Sequence, residues 1–578
     1  MPEELENLKW ALGWLGKKRR VMALAVLCSL SAIGLMTVGP FLFRIVIDDV
    51  LLGGQYNKLL PLLSLALASV LATQALRYTA NMLCEVVSQH VVVTMRARLF
   101  ERVLRQTAAF HRENTAGSLI TLCTGDVEIV RHFICWVMPR SIECVAMMLT
   151  VLTLFMAVNP LYALCLFVLT PISGTLAYKL GRSIRPAHKK VRECRERLST
   201  VVNENISGNR VIRAFAREAH EIERFERENQ AFRDAQVNAN RIWLRFQPYI
   251  EFMAQTLGAV NLIVGSVFVV LGRITLGQMS IFQNLAWALN DPMLSIGAIV
   301  NDAQRFAASA DKLIALQYSH IAIRQPDAPH KADIAGKIEL RHVTLTAGGA
   351  VLLHDINLVI EKGLTVGFMG PTGSGKSLLA GLLPRLYDPT SGQVLIDGVN
   401  VKDYDLRCLR GQIGMTMQDV FIFSDSVDSN IAYGDPEAPP ENVRRAAELA
   451  DAHEFVSRFP QGYNTVVGER GTGISGGQKQ RLSLARAILP NPSVIILDDT
   501  TSAVDMETEK KIQDNLAGME TRATKLIIAQ RVSSVKNADC IYIIDGGKVT
   551  EHGDHARLMA NKGYYYDTYR LQHPGEAV

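Results

Sequence analysis

Gly473-Ile474-Ser475-Gly476-Gly477-Gln478-Lys479-Gln480-Arg481 leads to Val494-Ile495-Ile496-Leu497-Asp498-Asp499 and then to Lys525-Leu526-Ile527-Ile528-Ala529-Gln530. The first stretch is a glycine-rich turn entering a helix. The second is a short apolar strand that ends in two acids. The third is another such strand, and it ends in an amide. Short apolar strands alternating with helices from Lys337 onward describe an α/β fold.

Upstream, the strand Leu364–Met369 runs into Gly370-Pro371-Thr372-Gly373-Ser374-Gly375-Lys376-Ser377, and an apolar helix follows from Leu378. This is G-x-x-x-x-G-K-[ST] in the strand–loop–helix context it requires. The glycines let backbone N–H groups close around phosphate oxygens, and the helix N-terminus adds partial positive charge. Lys376 is expected to reach the β- and γ-phosphates of ATP and Ser377 to ligate Mg²⁺. Asp498, at the end of its apolar strand, is expected beside the metal.

Working outward, the chain of 578 residues has 48% hydrophobic and 20% charged residues, and its mean hydropathy is positive. That is too apolar for a soluble enzyme and too charged for a pure membrane bundle, so a membrane half joined to a soluble half is expected. A net charge of +5 with no basic stripe interleaved with aromatics gives nucleic-acid binding little support, and no nucleic-acid partner is expected. The nine cysteines form no C-x-x-C pair, and Cys28, Cys135 and Cys165 sit in apolar runs as small hydrophobes.

Apolar stretches long enough to span a bilayer begin near Val21, Leu59, Phe133, Leu161, Phe246 and Ile274. Trp10, Trp14 and the cluster Lys17-Lys18-Arg19-Arg20 mark a membrane interface with its basic side cytoplasmic, and an even number of spans puts both termini there. The turn after the first span is short and acidic (Asp48, Asp49, Gly53, Gly54). Charged helical stretches around Arg96–Val103 and Lys189–Glu193 read as membrane helices continuing into the cytoplasm as solvated rods. Each rod pair carries a turn, Phe110–Leu119 and Glu204–Phe215. Arg77, Glu143, Gln255, Asn261, Gln283, Asn284 and Asn290 fall inside apolar spans, with Trp287 beside the later ones. They are expected to line a wet cavity, where some contact cargo, or to hydrogen-bond between helices.

The expected organisation is an all-α transmembrane domain of six helices over residues 1–318, a linker over 319–336 and an α/β P-loop ATPase domain over 337–578. With Gly473–Gln478 placed between the phosphate loop and Asp498, the chain resembles an ABC half-transporter of the exporter kind over nearly its whole length. The resemblance implies that Gln418 is the glutamine near Mg²⁺, that Val466–Gly471 senses the membrane domain, and that the Phe110 and Glu204 turns couple the two halves. Gly553–His555 and Gly563–Tyr565 also match. It further implies a head-to-tail dimer in which Ser475, Gly476, Gly477, Gln478 and Asp505 (within Ser502–Asp505) face the ATP held by a partner.

Positions belonging to one ATP site depart from the family. The acid after the buried strand is Asp499 where glutamate is usual, one methylene shorter. An error of about 1 Å in such a group costs on the order of 10²-fold in rate. Gln530 stands where the family has a histidine, and an amide cannot carry the proton. No ring is available near Ala347 to stack on adenine. The expectation is a hydrolysis-impaired site in one half of a heterodimer whose partner has an intact glutamate and histidine. Its cargo would be hydrophobic or amphipathic, and its location the bacterial plasma (inner) membrane. The rival readings are a homodimeric lipid flippase and an ATP-binding regulatory subunit that transports nothing.

Overall fold

The computed structural model describes residues 2–167, 169–500, 503–519 and 523–573. Within them, side chains at 2–4, 166–167, 169–174, 176–178, 180–181, 250–251, 253–255, 257, 289–290 and 292–294 lie outside the description. Gln255, Asn290 and Ser502, named above, fall in these gaps. The chain forms two units, Met1–Leu104 with Thr115–Ser319, and Arg105–Asn114 with His320–Val578.

The first unit is helical. Its principal helices are α1 (Arg19–Met36), α2 (Leu59–Leu104), α3 (Met138–Val158), α4 (Leu169–Ser207), α5 (Glu218–Val270) and α6 (Trp287–Gln317). With 46 residues, α2 is about 69 Å long at 1.5 Å per residue, more than twice the thickness of a bilayer core. The 53 residues of α5 make it longer still. Such lengths fit helices that leave the bilayer as rods. Among the described residues three helical runs, Gly16–Leu52, Tyr56–Leu104 and Ala116–Val158, are long and apolar enough to cross a membrane, and Gly258–Val270 is a shorter apolar stretch. Of the remaining expected starts, Leu161 lies in the apolar helix Pro160–Phe167, Phe246 within α5, and Ile274 just before the helix Leu276–Leu285, and parts of the stretches that follow fall outside the described side chains.

The helices pack α1 on α2 and α4 on α5. An aromatic core packs among these helices, with Phe155 and Tyr162 each 4.3 Å from the Phe282 ring centroid. The acidic turn also has a packing role. The Asp48 carboxylate accepts from Thr275 Oγ1 (2.6 Å) and from the Gly277 backbone N–H (2.9 Å), joining the end of the first apolar run to a helix more than 200 residues later. Cys135 is buried as expected, while Cys28 is half-buried and Cys165 exposed. Exposure of a cysteine on an apolar helix matches the many leucines exposed along α2, such as Leu60 and Leu67.

The polar residues inside the apolar runs separate into two kinds. The Tyr162 hydroxyl donates to the Asn261 carbonyl (2.8 Å), and Asn261 Nδ2 donates to Gln283 Oε1 (2.6 Å). Asn284 bonds its own helix at the Ser280 carbonyl. Those three are structural. Arg77 and Glu143 instead line a cavity.

The second unit has two sheets. The strands β1 (Ile338–Ala347), β2 (Ala350–Ile360), β4 (Ser391–Ile396) and β5 (Val399–Asn400) form an antiparallel sheet in the order β2-β1-β4-β5. The other sheet contains β3 (Thr365–Met369), β6 (Ile413–Thr416), β7 (Val494–Asp498), β8 (Thr524–Ile528), β9 (Cys540–Asp545) and β10 (Lys548–Gly553) in the order β10-β9-β3-β8-β7-β6. Strands β9, β3, β8, β7 and β6 run parallel. Val494–Asp498 is buried along its whole length, as a parallel strand covered on both faces must be.

Residues 105–114 belong to this unit although they lie between the long helices of the other. Thr107 caps the short helix Ala108–Glu113 by accepting from the Phe110 N–H. Arg112 Nη2 donates to the Tyr387 hydroxyl at 2.9 Å, and its guanidinium lies 5.7 Å from that ring's centroid. Sequence reading kept this turn inside the bounds of the transmembrane domain and expected it to couple the two halves; by its contacts it groups with the second unit.

Candidate nucleotide site

Four neighbouring strands, β3, β8, β7 and β6, point their C-terminal ends the same way. Residues beyond those ends therefore converge, the usual place for a ligand in an open parallel sheet. Gly370–Ser377 follows β3, Ala529-Gln530 follows β8, Asp498-Asp499 ends β7, and Gln418 lies just past β6. A cleft of about 260 Å³ is lined by Thr372, Gly373, Gly375, Lys376, Ser377, Leu378, Gln418, Asp498, Asp499, Ile528, Ala529 and Gln530. Gly370, Pro371 and Ser374 form the back of the loop.

The loop's shape needs its glycines. Gly370 has φ +142°, and a Cβ there would collide with the Ile544 carbonyl oxygen. Gly375 has φ +100°, and its Cβ would sit 2.7 Å from Leu353 Cδ2. Lys376 begins the helix α7 (Lys376–Leu382) and is almost wholly buried. Its ammonium donates to the carbonyls of Gly370 (2.9 Å) and Pro371 (2.7 Å) and to Ser374 Oγ (3.1 Å). Burial lowers its pKa, against the opposing pull of Asp498 and Asp499. Asp498 is also buried, and burial pushes its carboxyl above the usual carboxylate range despite a hydrogen bond from Ser377 and the nearby Lys376 charge. A hydroxyl, a carboxylate and the Gln418 amide thus share one cleft. An all-oxygen donor set of this kind suits Mg²⁺, which keeps waters and substrate phosphates in its remaining positions.

Asp499 departs from regular strand geometry at φ +50°, a left-handed conformation in which aspartate is among the better tolerated residues. Its N–H donates to the Ile528 carbonyl (2.9 Å). Three residues that sequence reading missed hold this loop and its neighbour. Gln480 is buried in α8 (Gly476–Ile488). It donates to the Asp499 carbonyl (3.4 Å) and accepts from the Ala503 N–H (3.1 Å). Thr500 shares a 2.5 Å hydroxyl contact with Thr416 at the end of β6. Gln572 donates to the Gln530 carbonyl (2.9 Å) and accepts from the Val532 N–H (2.8 Å). No motif marks them: Gln480 and Gln572 act on backbone atoms, and Thr500 on another hydroxyl. None of the described residues lining the cleft is aromatic, and Ala347 lies exposed at the β1–β2 turn.

The other expected site residues are not in this cleft. Ser475 is the N-cap of α8 and exchanges bonds with Gln478, whose Oε1 accepts from the Ser475 N–H at 2.9 Å. That reciprocal pair is a capping box. Gly477 packs against the loop after β7, where an added Cβ would lie 2.8 Å from the Ala503 carbonyl oxygen. Asp505 caps α9 (Met506–Ala517) by accepting from the Thr508 N–H (3.1 Å), which holds its carboxyl below the usual range. In the tail, Asp554 caps His555–Asn561, and His555 Nδ1 lies 2.7 Å from the Tyr565 hydroxyl.

Comparison with known proteins adds identity to this geometry. The chain matches the model of the ABC transporter transmembrane region over residues 22–293 and that of the ABC transporter over residues 353–502. It is 32% identical to the ATP-dependent lipid A-core flippase of Syntrophus aciditrophicus, across 96% of this chain and 93% of that protein. It is also 32% identical to a putative multidrug export ATP-binding/permease protein of Bacillus subtilis, across 92% of this chain and 93% of that one. A solved bacterial Atm1-family ABC exporter with ATP bound superposes with a TM-score of 0.79 at 25% identity, covering 97% and 99% of the two chains.

Proposed function

The chain belongs to the ABC transporter family as an ATP-driven exporter, with a helical transmembrane domain followed by an α/β ATPase domain, and from that premise we propose that it is the hydrolysis-impaired half of a heterodimer. The domains proposed are 1–318 and 337–578 with a linker between them, six spans, and both termini in the cytoplasm of a bacterial inner membrane. The cargo is hydrophobic or amphipathic.

The observation that carries the reading is one of position. Asp499 and Gln530, where a water-polarising acid and a proton-bearing switch would stand, line the same cleft as Lys376, Ser377 and Asp498. Lys376 and the loop N–H groups hold the phosphates of ATP, and Ser377, Asp498 and Gln418 hold the metal. Bound Mg²⁺ would neutralise charge developing on the phosphates. Asp499, its backbone tied to Ile528 and Gln480, holds its carboxylate one methylene short of the reach a glutamate would have. Gln530 hydrogen-bonds without transferring a proton. Meanwhile Ser475–Gln478 and Asp505, outside the cleft and fixed as helix caps, complete the ATP site of the partner chain.

The purified chain alone should bind ATP and hydrolyse it slowly, and the double substitution Asp499→Glu with Gln530→His should raise turnover at least tenfold. Robust ATPase activity of the unaltered chain, abolished by Asp499→Asn, would overturn the reading. A homodimeric lipid flippase is the second reading, supported by the 32% identity to a lipid A-core flippase. It requires the chain to assemble and turn over ATP by itself, so the same measurement separates the two.

A further inference from the structure

The membrane unit encloses a polar cavity of about 220 Å³ among α1, α2, α3 and α6. Its charged groups are unevenly paired. Arg140 Nη2 lies 3.1 Å from Asp291 Oδ2, and Nη1 of the same guanidinium lies 3.6 Å from Glu143 Oε2. One cation therefore serves two carboxylates, and the triad is left with net negative charge. Arg77, on α2, also lines the cavity, yet its nearest hydrogen-bonding contact is the Met36 thioether at 3.5 Å, a weak acceptor. Among the described residues no carboxylate is within ion-pair distance of it. The cavity thus presents an unpaired cation beside an acid-rich cluster, with Asn81 adding an amide.

Depth and size add to the charge pattern. Arg77 lies about 27 Å along α2 from its Leu59 end, and Glu143 about 23 Å along α3 from its Val158 end, at 1.5 Å per residue. In the proposed orientation both helix ends face outward. The charges then lie close to the inner edge of a hydrocarbon core about 30 Å thick, where headgroups of the cytoplasmic leaflet sit. The volume is below the roughly 300–1,000 Å³ of pockets that enclose a drug-sized ligand. It fits a headgroup better than a whole molecule.

A lone cation in the cavity would meet the field of Arg77, and a lone anion that of the carboxylates. A headgroup carrying both charges satisfies both walls and brings no net charge into the membrane, where net charge is expensive. We propose that this cavity is the headgroup subsite for a zwitterionic amphiphile. An ammonium group sets against Glu143 and Asp291, a phosphate or carboxylate group sets against Arg77, and the apolar tail lies outside. The proposal deepens the transport reading and rests on it for translocation, though not for binding.

The test is equilibrium binding to the full-length chain in a maltoside detergent. The probes are three C12 amphiphiles that differ only in headgroup: phosphocholine, trimethylammonium and phosphate. The zwitterion should bind about tenfold more tightly than either single-charge probe, the scale of one charge-assisted contact. Arg77→Gln should reduce the zwitterion to the level of the ammonium probe. Glu143→Gln with Asp291→Asn should reduce it to the level of the phosphate probe, with ATP binding unchanged as a check on folding. If that double variant fails to fold, Arg77→Gln at its exposed position still decides. Equal affinity for the three headgroups, or a ranking that Arg77→Gln leaves intact, overturns the proposal. Glycerophosphocholine, a headgroup without a tail, binding as tightly as the C12 probe overturns the assignment to an amphiphile. A lost ranking with ATP-driven transport by the heterodimer intact refutes this subsite alone, whereas an intact ranking in a heterodimer that transports nothing refutes the transport reading instead.

Discussion

The nucleotide cleft and the membrane cavity are both small polar hollows lined by basic and acidic side chains, but they are built on opposite principles. The cleft takes its groups from short segments at the ends of adjacent strands, so the sheet delivers them together and backbone bonds fix each segment. The cavity takes its side chains from four helices, from Ser29 on α1 to Asp291 on α6, more than 200 positions apart in sequence. In the cleft, position is set by backbone and charge by burial. In the cavity, position is set by helix register, and the charges are unevenly shared, with Arg140 between two carboxylates and Arg77 apart from both. A site of the first kind should fail sharply when one side chain is lost. One of the second kind should degrade by degrees.

The largest effect should come from Lys376→Ala. Its ammonium makes three hydrogen bonds inside the loop, and charge-assisted contacts to phosphates would replace them. ATP affinity should fall about 100-fold, corresponding to two such contacts at about 1.5 kcal/mol each. Titration calorimetry of the full chain measures this, with the thermal midpoint as a control. A change smaller than about threefold would break the contrast, since the cleft would then also degrade by degrees.

A much smaller effect is expected from Tyr162→Phe in the membrane unit. The hydroxyl donates to the Asn261 carbonyl, and interhelical hydrogen bonds in bilayers are worth about 0.6 kcal/mol on average. Unfolding of the chain in mixed micelles should register a loss near that size. A loss of several kcal/mol would show that the Tyr162–Asn261–Gln283 bonds form one cooperative block, as the cleft does.

The smallest effect is a slope. Burial raises the Asp498 pKa, so the folded chain binds more protons than the unfolded one between the ordinary carboxylate range and the raised value. Stability contributed by this group is greatest when it is protonated and declines as pH rises through that window. Asp498→Asn should flatten the decline, measurable as the thermal midpoint against pH in acidic buffers. The Lys376 charge opposes the shift, so an unchanged slope would mean that its attraction offsets burial in this corner of the cleft.

How much could be read in advance follows from the same contrast. Gly370–Ser377, Asp498-Asp499 and Gln530 were legible because each is a local pattern attached to a strand, and parallel strands leave little freedom in where their ends go. Arg77 and Glu143 stood out as charges in apolar runs, but Arg140, Asn81 and Asp291 did not, because their pairing depends on how helices are rotated against one another. Gln480 and Gln572 were invisible for another reason. Each acts by bonding backbone atoms of a distant loop, and side chain-to-backbone contacts leave no trace in the identity of the residue contacted. Counting apolar runs is harder than counting strands, because a long helix that carries solvated polar residues, as α5 does, loses the uniform hydropathy that marks a span.

The bond from Arg112 to Tyr387 joins residues 275 positions apart. On the ribosome the Arg112 turn emerges long before Tyr387 is synthesised, so it must wait, undocked, while the remaining membrane helices are inserted. The nucleotide-binding body therefore cannot be completed until the membrane half has been threaded, and a gene fragment starting at the linker would encode that body with a piece missing. A soluble fragment supplemented with a synthetic 105–114 peptide would restore the missing piece and give the order of assembly a direct handle.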